Sequence, residues 1–245
     1  MTPPIVVASA LLGVACGPWL RAAVFRHSGP DWEPRRHCPH CTGPVTPGGL
    51  AGRRRTVPAS ARCPGCRGRL GPRAGTVELA TAAVFGLLAV RADSVPLLVA
   101  LCWFGACAVA LSAVDVAVHR LPDVLTLGAG GGLLVGFTVA ALVEHRVGSF
   151  GRACLGGLVL FAAYLVLAMA SPGSLGFGDC KLAAGLGTVL GWFGWSAVLA
   201  GTVVAFALAG GFGFALVALG RAGRRDPVAF GPFMLLGALA AVLGS

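Results

Sequence analysis

The chain has 245 residues, of which 56% are apolar and only 11% charged, with a mean hydropathy of +0.84. These values exclude an ordinary soluble domain, and they fit a protein that crosses a membrane repeatedly. A net charge of +10 would suggest nucleic acid in a soluble protein, but here the arginines flank apolar runs as topology signals, so no nucleic-acid partner is expected.

The first apolar run covers 5–24. No lysine or arginine precedes it, and Arg21 and Arg26 come at its end, which reads as an uncleaved anchor rather than a signal peptide. The stretch LLGVACG around Cys16 only loosely resembles a lipoprotein cleavage box, with Gly13 where a leucine is expected.

A polar insert rich in Gly, Pro and Arg follows at 26–75. It carries Cys38-x2-Cys41 and, after 21 intervening residues, Cys63-x2-Cys66. Two such pairs fit tetrahedral thiolate coordination of zinc, and in a reducing cytosol a metal is favoured over disulfides, the alternative being four free or redox-active thiols. His37 and His40 lie close enough to substitute as ligands. A segment of this composition can hardly build a core of its own, so the metal is expected to be structural. The other cysteines, Cys16, Cys102, Cys107, Cys154 and Cys180, sit among apolar residues and read as small buried hydrophobes.

Further apolar runs cover 76–90, 95–114, 124–143, 153–170, 182–219 and 228–244. The run 182–219 has 38 residues, enough for two helices, with GWFGW at 191–195 as an interfacial turn. The expectation is an all-α polytopic membrane bundle of about eight transmembrane helices with a small zinc-ribbon-like insert. Its parts are a first helix at 1–25, the insert at 26–75 and a membrane domain at 76–245. Alternate loops then share a side. Ten arginines of the insert, with Arg21, Arg120, Lys181, Arg221, Arg224 and Arg225, fall on one side, against Arg91, Arg146 and Arg152 on the other. That asymmetry puts the insert in the cytoplasm and both termini outside.

The same topology brings Asp115, Asp123 and Asp179 to the cytoplasmic membrane edge and leaves Asp93 and Glu144 as loop charges opposite. In SAVDVAVHRLPDVLTLG (112–128), Pro122-Asp123 reads as a helix restart, which gives Asp123 a structural explanation as a first-turn acid. Asp115 has none, because it sits near the C-terminal end of its helix, where the dipole disfavours a negative charge. Asp179 lies in GFGDCKLAAG (176–185), where Gly176 and Gly178 permit an unusual backbone or a close approach by another chain. Neighbouring Lys181 offers a bland alternative as a simple ion-pair partner of Asp179. Two carboxylates brought together at low dielectric share a proton, so one acts as base and the other as acid, which suffices to activate water against a peptide bond without a metal.

At this point the chain resembles the bacterial type IV prepilin peptidases, intramembrane aspartic proteases of the GxGD type. The resemblance is carried by Asp115 with Pro122-Asp123 after it, by Gly176-Phe177-Gly178-Asp179 with Lys181-Leu182, by VELATAAVF (77–85) and by AFGPFMLLGA (229–238). It implies cleavage of a short basic leader from prepilins or pseudopilins at the cytoplasmic face of the bacterial inner membrane. Asp115 and Asp179 would be the catalytic pair without a metal of their own, and Asp123, Gly176, Gly178 and Lys181 would support the substrate. Many relatives place a further aspartate where this chain has Ala117. The resemblance also implies a second activity of the insert, methylation of the new N-terminus from S-adenosylmethionine. Against that, the first span ends Gly17-Pro18-Trp19-Leu20-Arg21-Ala22 where the family has G-S-F-L-N-V, and the segment 48–62 departs from the family pattern too.

Two other classes share some of these features. A proton- or ion-coupled transporter would use intramembrane carboxylates, but at the midplane and within inverted repeats, neither of which is evident. A membrane-anchored zinc module would need the cysteines and not the aspartates. The presenilin-like branch is disfavoured because no Pro-Ala-Leu motif occurs in the last span.

Overall fold

The computed structural model describes residues 1–29, 34–45, 61–170, 176–221, 223 and 229–245. Arg53, Arg54, Arg55, Arg224, Arg225 and the insert segment 48–60, all invoked above, lie outside the described residues. The described chain forms eight helices: α1 (Pro3–His27), α2 (Thr76–Arg91), α3 (Val95–Val118), α4 (Asp123–Val143), α5 (Val147–Ala170), α6 (Phe177–Phe193), α7 (Trp195–Ala218) and α8 (Gly231–Gly244). Helices α1, α3, α4, α5 and α7 are long and apolar enough to cross a membrane, and the protein is a multi-pass membrane protein. No strand occurs among the described residues.

Each expected span contains a helix, and the differences lie at the ends. The run 182–219 breaks at Gly194, whose φ of 147° suits glycine and ends α6 one residue before Trp195 opens α7. Helix α6 starts earlier than its apolar run, because the Asp179 carboxylate accepts the Gly176 N–H and closes a first turn that hydrophobicity alone does not mark. Asp179 therefore sits inside the first turn of α6 rather than in a loop between the fifth and sixth spans.

In lipid, helices gain little from apolar burial against one another, so close packing of small residues does much of the work. Gly156 and Gly157 of α5 face Gly187 and Ala184 of α6 so closely that a Cβ on Gly156 would fall 2.6 Å from the Gly187 carbonyl oxygen. On α1, Ser9, Gly13, Gly17 and Arg21 recur every fourth residue as a buried stripe against α2, and a Cβ on Gly13 would lie 2.7 Å from Cα of Ala82. Arg21 ends that stripe in a buried ion pair with Glu78 of α2, so it holds two helices together in addition to marking topology.

Helices α3 and α6 are the most enclosed, with twelve of the 17 residues of α6 buried. The far end of the bundle is knitted by charge. Arg146 lies 2.8 Å from Asp93 and 3.5 Å from Glu144, while Arg152 donates to the carbonyls of Gly191 and Trp192 at 2.8 and 2.9 Å. These two carbonyls belong to the last turn of α6, which has no further intrahelical donors. Asp93 and Glu144, expected as loop charges, both meet Arg146 in one cluster.

Candidate active site

Asp115 occupies the last turn of α3, which ends at Val118 when His119 turns left-handed at φ 51° and donates its N–H to the Asp115 carbonyl at 2.7 Å. The side chain is 5% exposed and its Oδ2 accepts the Gly231 N–H of α8 at 2.9 Å. The unfavourable end of the α3 dipole is offset there by the favourable end of α8. Asp179 is 9% exposed, and its Oδ2 accepts the Gly176 N–H at 3.1 Å. Its Oδ1 is buried with no hydrogen-bond partner among the described residues. The two carboxylates are near enough for their charges to interact. Tyr164 of α5, 3% exposed, is also within electrostatic range of Asp179.

The other expected site residues gather around this pair. A Cβ on Gly178 would fall 2.7 Å from Cβ of Leu121, so the bare backbone lets the α3–α4 connection pack onto the first turn of α6. Lys181 does not pair with Asp179. Its Nζ lies 2.5 Å from Oδ1 of Asp123 and 4.8 Å from the Phe177 ring centroid. Sequence reasoning missed Gly231 as a partner of Asp115, although Gly-Pro at the start of the last apolar run was a visible signal for a helix N-terminus with a free donor. A groove of ≈ 980 Å³ runs between α2, α3 and α8 beneath the insert, with Ser112, Val116, Pro232, Leu235 and Arg35 in its walls and neither Asp115 nor Asp179 among them.

The insert repeats one small unit twice. Cys38 donates its N–H to Gly43 O at 2.9 Å and accepts from Thr42 at 3.0 Å, while Cys63 donates to Gly68 O at 2.8 Å and accepts from Arg67 at 2.9 Å. Thr42 and Arg67 are both left-handed, at φ 55° and 58°. Val45 and Leu70, one from each unit, pack with Phe25 of α1 and with Cys38 and Cys63 into a separate core.

The four Sγ atoms lie within 4.8 Å of one another, with Cys38···Cys66 and Cys41···Cys63 both at 3.7 Å. A Zn–S tetrahedron with ~2.3 Å bonds has edges of about 3.8 Å, so the quartet fits a structural zinc. His37 and His40 stay out of the cluster. The N–H groups of Cys66 and Gly65 hold the Cys63 thiol down at about 6. Cys66, although the Gly68 N–H pulls it down, is pushed up to about 12 by burial and by the neighbouring sulfurs. Four thiolates cannot coexist there without a cation to neutralise them.

Residues 98–219, from α3 to the end of α7, match the model of the type IV leader peptidase family. The chain is 33% identical over 214 residues to a prepilin leader peptidase/N-methyltransferase of Burkholderia pseudomallei, covering 84% of this chain and 66% of that protein. It is 33% identical to the protein of that name in Aeromonas hydrophila, covering 86% and 71%, and 35% identical to that of Klebsiella pneumoniae, covering 65% and 70%. No solved structure matches. This chain belongs to the type IV leader peptidase family, and it spans about 66% of the length of its Burkholderia relative.

Proposed function

We propose that the protein is an intramembrane aspartyl endopeptidase that removes the short basic leader of a type IV prepilin or pseudopilin at the cytoplasmic face of the bacterial inner membrane. The observation that carries this reading is the pair of buried carboxylates, Asp115 on α3 and Asp179 on α6, whose charges interact and of which Asp179 Oδ1 has no protein partner among the described residues. A buried polar atom without a partner is rare and calls for an explanation, which an attacking water held by the dyad supplies.

The dyad shares one proton. The ionised carboxylate takes a proton from a water as its oxygen bonds to the scissile carbonyl carbon, and the protonated carboxyl gives its proton to the carbonyl oxygen. Collapse of the resulting diol returns that proton to the dyad and breaks the C–N bond, with the leaving nitrogen protonated by the first carboxyl. No metal takes part at this site. The apolar helix of the substrate docks laterally between spans. Gly176 and Gly178 shape the first turn of α6, and Lys181 and Asp123 bind the α4 start to it.

The division into a first helix at 1–25, an insert at 26–75 and a peptidase domain at 76–245 is part of this reading. Cys38, Cys41, Cys63 and Cys66 would hold zinc, which supplies a fold to the insert rather than a reaction. The N-methyltransferase in the relatives' name also supports S-adenosylmethionine-dependent methylation of the new N-terminus, although the described residues single out no site for that cofactor.

The test is cleavage of a prepilin in liposomes by wild type, Asp115→Asn and Asp179→Asn protein, read by product mass. Leader loss with wild type alone supports the peptidase, and an added methyl group on the product supports the second activity. Cleavage by either variant would overturn the assignment.

A further inference from the structure

The first turn of α8 has an unusual donor inventory. Phe233 and Met234 both give their N–H groups to the Phe230 carbonyl, at 3.1 Å each, and Pro232 has none to give. The Gly231 N–H is thus left for an acceptor outside the helix, and it takes Oδ2 of Asp115 at 2.9 Å in a buried setting. The residue is also sterically committed. A Cβ at position 231 would stand 3.1 Å from that oxygen and 3.6 Å from Asp115 Cγ. The start of α8 is itself fixed, because the Phe230 ring packs between Phe206 at 5.1 Å and Tyr164 at 6.1 Å.

We propose that Gly231 is a positioning residue for the reaction: its N–H fixes the Asp115 carboxylate in one rotamer, and its missing side chain leaves that carboxylate its place. This inference rests on the peptidase reading for its kinetic consequence and on the Gly231–Asp115 bond alone for its structural one. Displacing a reacting carboxylate by a fraction of an ångström lowers the rate of the chemical step without changing how the remote parts of the substrate are held.

Gly231→Ala and Gly244→Ala proteins are therefore compared with wild type on a prepilin in liposomes. Position 244 is on the same helix, and a Cβ there meets nothing within 4 Å. The expected result is a kcat lowered roughly tenfold or more in Gly231→Ala, with KM within about twofold and the melting temperature of wild type, and no change in Gly244→Ala. A wild-type kcat in Gly231→Ala overturns the proposal.

A second measurement does not require that variant to fold. In Asp115→Ala protein, amide exchange at Gly231 should accelerate at least tenfold relative to wild type while Gly237 of the same helix is unchanged. Unchanged exchange at Gly231 also overturns the proposal. Failure of wild type to cleave any prepilin would instead count against the peptidase reading and leave the exchange result to decide the bond.

Discussion

Lys181 pairs with Asp123 of the neighbouring α4, 2.5 Å away, although Asp179 lies only two positions before it in the chain. The ion pair fastens the first residue of α4 to the first turn of α6 and leaves the Asp179 carboxylate to the backbone of Gly176. On the proposed mechanism, a cation serving Asp179 directly would work against a proton shared with Asp115.

Because Asp123 is 63% exposed, the pair should contribute little to stability. A double-mutant cycle of Asp123→Asn and Lys181→Met, read by thermal unfolding in bicelles, should give a coupling below about 1 kcal/mol. Prepilin cleavage should survive in both variants and vanish in Asp179→Asn. Loss of all cleavage in Lys181→Met at wild-type stability would show that the lysine acts on the reaction itself.

The Arg21–Glu78 pair should behave differently, because Arg21 is 1% exposed and Glu78 only 12%. Arg21→Met leaves a buried carboxylate without its cation and should cost roughly 3–5 kcal/mol, while adding Glu78→Leu should recover most of that loss. Unfolding of the three proteins in bicelles checks the order, and equal stability of the single and double variants would contradict it.

The α5–α6 interface tolerates no added side chain. Gly156→Val would drive its Cβ into the Gly187 carbonyl and should lower both stability and cleavage, whereas Gly131→Ala on α4, where a Cβ meets nothing within 4 Å, should be neutral or slightly stabilising. Melting temperatures of the two variants side by side give the comparison.

Purified protein should contain one zinc per chain by elemental analysis, and Cys38→Ser or Cys63→Ser should lower that content. Chelation should expose the insert to limited proteolysis without loss of the far-ultraviolet helical signal, since among the described residues only Phe25 and the neighbouring Ala22 of α1 pack into its core. Collapse of the helical signal on chelation would mean that the insert supports the whole bundle.

Helix number and order were legible in the sequence because the spans are closed by local punctuation: Pro96 after the Ser94 cap, Pro122 before Asp123, Gly194, and Gly231-Pro232. The four-cysteine spacing was legible for the same reason, since each half closes its own turn. Side-chain pairing was not. Asp123 with Lys181, Arg21 with Glu78 and Gly231 with Asp115 join residues far apart in sequence, and which of several nearby charges meet depends on helix rotation that hydrophobic periodicity leaves open in a chain apolar on almost every face. Asp179 illustrates the limit well: composition marked it as unusual, while the adjacent lysine suggested a partner that the fold assigns elsewhere.

The enclosure of α6 has a consequence for how the protein responds to the thickness of its bilayer. At 17 residues it is about 26 Å long, shorter than the ~30 Å of hydrocarbon it stands in, yet most of its surface meets protein rather than acyl chains. Changes in bilayer thickness act on helices that touch lipid, by tilting them. The depth of Asp179 is set instead by α5 and α8 beside it, by Lys181 at one end and by Arg152 at the other, so thicker or thinner membranes should tilt α1 and α7 and leave the spacing of the two carboxylates as it is.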